Sequence, residues 1–181
     1  MVYFFIIGAV VLRLLPHLPN FAPIAAMALF GGTYLPAGRH GLNKKYALIV
    51  PLIALLIGDI FIGFYSPLIM GAVYGSFLVI GLIGLWLRKH KTLPYIIGAS
   101  LLGSIIFFLV TNFAMWAIPY SFYPHNFPGL IQCYIMGVPF FRNTLLGDLF
   151  YVGAMFGLME AIIFFVKRYL PKEKNVFTGM E

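Results

Sequence analysis

The sequence predicts an all-α integral membrane protein of six transmembrane helices, with both termini in the cytoplasm. Three observations lead to this prediction: few charged residues, long apolar segments, and basic residues that occur in clusters. Of the 181 residues, 62% are hydrophobic and 9% are charged, whereas a soluble domain carries roughly 25% charged residues. The composition therefore excludes a water-soluble fold. The length allows one transmembrane domain, residues 1–170, and a polar cytoplasmic tail, residues 171–181.

Six apolar segments define the predicted helices. They are Tyr3–Leu15, Phe21–Leu35, Tyr46–Phe64, Leu68–Leu87, Leu93–Ile118 and Thr144–Val166. A helix that crosses about 30 Å of hydrocarbon needs about 20 residues, a length that the last four segments meet. The first two are short, and the proline residues between them, Pro16 and Pro19, end the first helix. These two segments form either two short crossings or a re-entrant hairpin, and both forms return the chain to its starting side.

Basic residues set the orientation of the predicted helices. Ten of the twelve Lys and Arg residues fall in three clusters. The clusters are Arg39, Lys44 and Lys45; Arg88, Lys89 and Lys91; and Lys167, Arg168, Lys172 and Lys174. Short loops rich in Lys and Arg stay on the cytoplasmic side, which predicts a multi-pass protein of the inner (cytoplasmic) membrane. The net charge of +7 is then explained by contact with membrane lipid, and no nucleic acid is expected.

This orientation places three connections on the outside. They are Pro16–Asn20, Tyr65–Pro67 and the long Pro119–Asn143. The last shows no helical pattern of its own, and long connections of this kind are usually functional or disordered. Because it is aromatic and apolar, we expect it to fold back over the outer face as a cap.

Polar residues concentrate toward the predicted outer end of the bundle. Such groups are costly within a membrane and are functional candidates. The expected substrate-binding residues are Arg13, Asn20, Asp59, Tyr74, Asn112, Trp116, Cys133, Tyr134, Phe141, Arg142 and Asp148. Glu160 instead falls in the inner half. This distribution favours a small-molecule pocket that opens outward and is closed below by apolar packing.

Several of these residues have a structural interpretation beside the functional one. Arg13 and Asp59 contact a ligand, form an ion pair between the first and third segments, or do both. Arg142 either clamps a ligand or anchors the helix at the lipid headgroups. Cys133 is either a small buried hydrophobe or a soft-metal ligand. Asn112 and Trp116 are four residues apart and share a helix face, for which pocket lining is preferred to a bond between helices.

The sequence lacks the motifs of several enzyme classes. It contains no phosphate-binding loop, no Gly-x-Ser-x-Gly elbow, no metalloprotease motif and no zinc-type Cys/His cluster. We therefore expect no enzymatic activity, no cofactor and no metal. Six helices are also few for a stand-alone carrier built from two inverted halves. A small bundle with an outward pocket and no energy source suggests a binding subunit that partners drive.

Five strings of the sequence carry a family resemblance. They are Arg13–Gly32, Gly58-Asp59, Thr111-Asn112-Phe113, Gly129–Tyr134 and Pro139–Leu145. In these strings the chain resembles an uncharacterised family of six-helix bacterial membrane proteins. That family is in turn distantly similar to the substrate-binding S components of energy-coupling factor (ECF) vitamin transporters, in size, helix number, cytoplasmic termini and outward polarity.

The resemblance implies capture of a vitamin-like, aromatic nutrient in an outer pocket, for import driven by a transmembrane coupling subunit and two cytoplasmic ATPases. S components commonly dock through small residues of the first helix, where this chain has only Gly8 and Ala9. Ala22 and Ala26 offer small-residue spacing on the next segment. The alternative is a structural or assembly subunit of a larger membrane complex with no ligand of its own. A lone channel or carrier for a small solute is a third interpretation.

Overall fold

The computed structural model describes residues 7, 8, 11, 20–34 and 43–169, which are helical wherever the structure is regular. Five α-helices lie in the last two ranges. They are α1 (Ile24–Tyr34), α2 (Asn43–Ile62), α3 (Pro67–Leu87), α4 (Leu93–Ala117) and α5 (Phe127–Tyr169). The predicted tail at residues 171–181 and most of the predicted segment Tyr3–Leu15 lie outside the described residues. The all-α prediction is confirmed for the part of the chain that the structure describes.

Three of these helices, α3, α4 and α5, are long and apolar enough to cross a membrane. Two shorter apolar helical stretches accompany them, α1 and the Pro51–Ile62 part of α2. Three such helices are consistent with a multi-pass membrane protein. The predicted segment Tyr46–Phe64 falls on α2, which is helical from Asn43 to Ile62.

The boundaries of α3 and α4 agree with the sequence prediction to within one residue. Each helix has a proline in its first turn, Pro67 in α3 and Pro94 in α4, where the missing N–H costs no hydrogen bond. α4 ends because Pro119 follows Ile118, and the residue before a proline is disfavoured in the helical region. Ile118 is accordingly extended, with φ −67° and ψ 145°.

The prediction of a long non-helical connection over Pro119–Asn143 is wrong for most of its length. α5 begins at Phe127 and continues for 43 residues to Tyr169. Asn126 caps its start, since the side-chain oxygen of Asn126 accepts the backbone N–H of Gly129 at 2.9 Å. Only residues 118–126 separate α4 from α5. Consequently Arg142 and Asp148, which the sequence places where a helix begins, lie inside α5.

The shortest helix, α1, is the centre of the fold. All of its eleven residues are buried, and it packs against each of the other four helices. An α-helix rises 1.5 Å per residue, so α1 is only about 16 Å long and reaches along about half the thickness of a hydrocarbon layer. The apolar core therefore surrounds α1 and occupies one half of the bundle.

α1 and α3 approach each other at backbone distance through Gly32 and Gly84. A Cβ on Gly84 would lie 3.1 Å from the Cα of Gly32 and closer still to the carbonyl oxygen of Leu29. The hydroxyl of Thr33 donates to the carbonyl of Gly84 at 3.1 Å. Small residues permit this kind of close helix packing.

The C-terminal end of α1 lies among charged residues. The guanidinium of Arg88 donates to the carbonyl of Gly32 at 2.8 Å, which satisfies a last-turn carbonyl of α1. Burial lowers the pKa of Arg88 from its ordinary value, but arginine stays protonated in proteins. The hydroxyl of Tyr34 donates to Glu160, and the ammonium of Lys91 lies 5.3 Å from the centre of the Tyr34 ring. We call this end of the bundle the basic end, and the half around α1 the basic half.

α4 and α5 form an antiparallel pair. Going away from the basic end, Ser104 contacts Asp148, Asn112 contacts Cys133, and the indole of Trp116 contacts the carbonyl of Pro124. The end of α4 therefore packs against the start of α5. Together with the end of α2 and the start of α3, these parts form the second half of the bundle, which we call the cavity half.

Candidate ligand cavity

Two adjoining cavities occupy the cavity half, with volumes of about 290 Å³ and 340 Å³. The described residues that line the first are Asn20, Ala22, Ile24, Ala25, Leu55, Ile62, Tyr65, Val73, Phe77, Phe107, Thr144 and Asp148. Those that line the second are Asn20, Ile69, Val73, Phe107, Phe108, Thr111, Asn112, Met115, Tyr123, Cys133, Met136, Gly137, Phe140, Phe141 and Thr144. Asn20, Val73, Phe107 and Thr144 line both cavities, which places the two side by side.

The N-terminal end of α1 forms the floor of the first cavity. Asn20 has φ 63°, a left-handed conformation that asparagine tolerates better than most residues. The chain then turns through Pro23, whose carbonyl accepts the N–H of Met27 at 2.8 Å, and α1 begins at Ile24. Because α1 begins midway along the bundle, the four longer helices continue past it and enclose open space.

Asp148 supplies a buried carboxyl group to the first cavity. Its side chain is 3% exposed, and its Oδ2 accepts a hydrogen bond from the hydroxyl of Ser104 at 2.6 Å. One turn before it, the hydroxyl of Thr144 donates to the carbonyl of Phe140 at 3.0 Å. One turn of α4 below Ser104, the hydroxyl of Ser100 has no hydrogen-bond partner among the described residues. Polar groups thus lie at the boundary between the cavity and the apolar core.

The second cavity has aromatic walls with an amide group between them. The ring centres of Phe108 and Phe141 lie 4.7 Å apart. The amide nitrogen of Asn112 donates to the carbonyl of Phe108 at 2.8 Å, within α4. Gly137 makes room for this amide, since a Cβ there would lie 3.0 Å from Cγ of Asn112. The site can therefore enclose a flat, apolar molecule and offer it a few polar contacts.

The structure brings part of the predicted site together. Five of the predicted residues line the cavities: Asn20, Asn112, Cys133, Phe141 and Asp148. Five others line neither: Asp59, Tyr74, Trp116, Tyr134 and Arg142. Arg13 lies outside the described residues, and so does its predicted ion pair with Asp59.

Four of the residues that do not line the cavities have contacts that stabilise the bundle. The Tyr74 hydroxyl donates to Asp59 at 2.8 Å and links α3 to α2. The Tyr134 hydroxyl donates to the carbonyl of Leu109 at 2.9 Å and links α5 to α4. Trp116, which the sequence predicts to line the pocket with Asn112, donates its N–H to the carbonyl of Pro124 at 2.9 Å and holds the 118–126 connection.

Arg142 lines neither cavity, and Cys133 lines the second. Arg142 is exposed on the surface of α5. Cys133 is buried, and its thiol donates to the carbonyl of Asn112 at 3.3 Å. No group of three His, Cys, Asp or Glu side chains lies close enough to hold a metal ion in the part of the chain that the structure describes.

Sequence reasoning missed Val73, Phe107 and Thr144, which line both cavities, and Ser104, which bonds to Asp148. Val73 and Phe107 carry no signal, because apolar residues are expected anywhere in an apolar helix. The pair Ser100 and Ser104 does carry one. Residues four apart share a helix face, so two hydroxyls at this spacing in an apolar segment indicate a polar stripe.

Fold and cavity together define a helical protein, consistent with a multi-pass membrane protein, that has a ligand-sized cavity in one half of its bundle. The chain belongs to the family of unknown function DUF6580, whose model matches residues 1–172. No curated protein and no solved structure matches the chain significantly. The match agrees with the predicted resemblance to an uncharacterised family. The further similarity of that family to ECF S components stays a prediction.

Proposed function

We propose that this protein is a substrate-binding membrane subunit that captures a vitamin-like small molecule at the extracytoplasmic face of the cytoplasmic membrane. The observation that carries the proposal is the pair of adjoining cavities in one half of the bundle, beside the buried apolar core around α1. Ligand sites are concave and mostly apolar, with a few convergent polar groups. The cavities fit this description, because their lining combines aromatic rings with the polar side chains of Asn20, Asn112 and Asp148.

The basic residues support the placement of the cavities. Arg88, Lys89 and Lys91 follow α3, and Lys167 and Arg168 lie in the last turn of α5. Both groups belong to the basic end, since Glu160 of α5 bonds to Tyr34 beside Lys91. Under the positive-inside rule the basic end faces the cytoplasm and the cavities face outward. With six membrane segments, both termini are then cytoplasmic.

The short α1 favours a re-entrant form for the first two predicted segments. A helix of about 16 Å does not cross about 30 Å of hydrocarbon. The backbone at residues 20–23 is non-helical and lies beside the first cavity. Non-helical backbone within a membrane is tolerated where it lies against protein or a water-filled cavity. The cavity therefore also provides the surroundings that this turn needs.

The proposed role is that of an S component. In this role the bundle captures the cargo, while a coupling transmembrane subunit and two cytoplasmic ATPases supply the energy for import. The sequence resemblance supports this assignment, together with an outward cavity and a basic cytoplasmic end. The family itself adds no function, so the assignment depends on finding a ligand.

Native mass spectrometry of the chain purified in mild detergent tests the proposal. We expect the wild type to retain a non-lipid small molecule at one per chain. Val73→Phe fills the junction of the two cavities and should abolish retention. Val79→Phe adds the same ring to the exposed side of α3 and should leave retention unchanged.

Two results would contradict the proposal. The first is a chain that carries only lipid and binds none of the small molecules offered to it, which favours the structural or assembly subunit. The second is a retained molecule that Val73→Phe and Val79→Phe affect equally, which places the ligand outside the cavities.

A further inference from the structure

Asp148 places a buried carboxyl group beside the first cavity, and the proposed function does not say what this group binds. It is the acidic residue among the described residues that line the two cavities, and its side chain is buried, with 3% exposure. The hydroxyl of Ser104 donates a hydrogen bond to Oδ2 of this carboxyl group. The other carboxyl oxygen, Oδ1, has no hydrogen-bond partner among the described residues. One oxygen is thus held in place by the protein, and the other remains able to accept a hydrogen bond.

Among the described residues that line the cavities, Asp148 is the one with an ionisable acidic or basic side chain of the Asp, Glu, Lys, Arg and His types. None of the described lining residues is Lys, Arg or His. A carboxylate or phosphate of a ligand would therefore meet Asp148 with no cation from these residues to balance it. A buried charge is stable only when it is paired and hydrogen-bonded. The described lining therefore favours a ligand that brings a positive charge over an anionic one.

The aromatic walls point to the same ligand chemistry. Phe107 lines both cavities, and its ring lies 5.2 Å from the ring of Phe77, which lines the first. The negative faces of aromatic rings attract cations, most strongly where water is excluded. A cationic nitrogen near Asp148 would therefore combine a charge-assisted hydrogen bond with nearby ring faces.

We infer that the ligand carries a cationic nitrogen, as an ammonium or a protonated heteroaromatic base, and that Asp148 binds this group. The inference rests on the proposed function, because it assigns the ligand class of the same cavities. Thr144 and Asn20 line the same cavity as Asp148 and can accept or donate further hydrogen bonds. The flat remainder of the ligand extends past Phe107 toward Phe108 and Phe141.

Three indole compounds that differ in the charge of their side chain test the inference. Tryptamine is a cation, tryptophol is neutral and indole-3-acetate is an anion. Isothermal titration calorimetry of the wild type in mild detergent should give the tightest binding for tryptamine. Asp148→Asn should weaken tryptamine binding by about tenfold or more and leave tryptophol binding within a few-fold. Glu160→Gln removes a carboxylate about three turns further along α5, in the basic half, and should change neither.

The order of the three affinities is measured on the wild type alone, so it tests the inference even if Asp148→Asn does not fold. Tighter binding of tryptophol or indole-3-acetate would overturn the inference while leaving the proposed function intact. Equal tryptamine affinity for wild type and Asp148→Asn would do the same. If none of the three binds, the molecule retained in native mass spectrometry decides, and one without a cationic nitrogen overturns the inference.

Two further outcomes separate the inference from the proposed function. A retained phospholipid with an ammonium headgroup that tryptamine does not displace would assign the site to lipid and overturn the inference. A chain that binds none of the three compounds and carries only lipid without such a headgroup would overturn the proposed function and the inference with it.

Discussion

In the basic half of the bundle α1 fills the space between the other four helices, whereas in the cavity half those helices enclose space that α1 does not reach. The same four helices thus form a closed core at one end and a cavity at the other. The difference follows from the length of α1, which begins only at Ile24, beside the first cavity, instead of running the full length of α3 and α4. A short central helix is therefore what divides the bundle into a packed half and a ligand-sized cavity.

The glycines of α3 show the same contrast. In the basic half, Gly81 and Gly84 face atoms of α1 and α2 so closely that a Cβ on either glycine would clash. In the cavity half, Gly71 and Gly75 are exposed, and a Cβ added to either would have no atom of another residue within 4 Å. Gly84 is needed for packing, because the atoms it meets belong to the backbone of α1, whereas Gly81 meets the end of the Leu48 side chain, which can move aside. Gly71 and Gly75 are open to substitution.

The largest effect on stability is expected from a substitution in the packed half. Gly84→Ala places a methyl group against the backbone of Leu29 and Gly32 and should destabilise the bundle by about 1–3 kcal/mol. Thermal unfolding in detergent measures this effect as a lowered midpoint. Gly75→Ala adds the same methyl group to open space on α3 and should be neutral or slightly stabilising, since alanine favours helix more than glycine. Equal midpoints for the two variants would show that the packing of α1 against α3 is not tight.

A smaller effect is expected at the basic end. Arg88→Gln removes the guanidinium that bonds to the carbonyl of Gly32 and should cost about 1 kcal/mol of stability. Lys89→Gln, at the exposed neighbouring position, is the matched control and should change little. Ligand affinity should stay unchanged in both, because neither residue lines the cavities. A loss of ligand binding in Arg88→Gln with unaltered stability would argue against this separation of the two halves.

The smallest effect is expected from a substitution in the cavity half, where one side-chain hydrogen bond holds the 118–126 connection. Trp116→Phe removes the N–H that bonds to Pro124, so the 118–126 connection should exchange its amide protons a few-fold faster. Hydrogen exchange followed by mass spectrometry measures this change, while the unfolding midpoint should barely move. Trp86→Phe, at the exposed basic end, should not alter exchange in this connection. Unchanged exchange in Trp116→Phe would mean that other contacts hold the connection.

The sequence located α3 and α4 to within one residue because their apolar runs are bounded by proline and basic residues, which mark helix ends directly. It failed on α5, where Pro128, Gly129 and Pro139 suggest a loop. Proline at the second position of a helix is tolerated, and a long apolar helix can accommodate one in its interior when neighbouring groups compensate. The positions of proline and glycine along the chain alone could not distinguish a helix that ends from one that tolerates them.

The candidate site was predictable only in part. Asn20, Asn112 and Asp148 stand out because a polar residue in an apolar segment needs a partner or a ligand. Trp116 and Tyr134 stand out in the same way, yet their polar atoms bond to nearby backbone carbonyls. Since a hydroxyl or an indole N–H can be satisfied by either protein or ligand, residue type does not decide which occurs.

The sequence by itself determined that this chain is helical and apolar, that basic residues collect at recurring positions, and which polar residues interrupt the helices. These properties depend on composition and on neighbours along the chain. Only the tertiary structure decided that α1 is the buried centre, that α5 runs unbroken from Phe127, and that Ser104 meets Asp148 beside a cavity. Those outcomes depend on which helix faces pack together and on where a short helix stops, and both are set by contacts between residues far apart in the sequence.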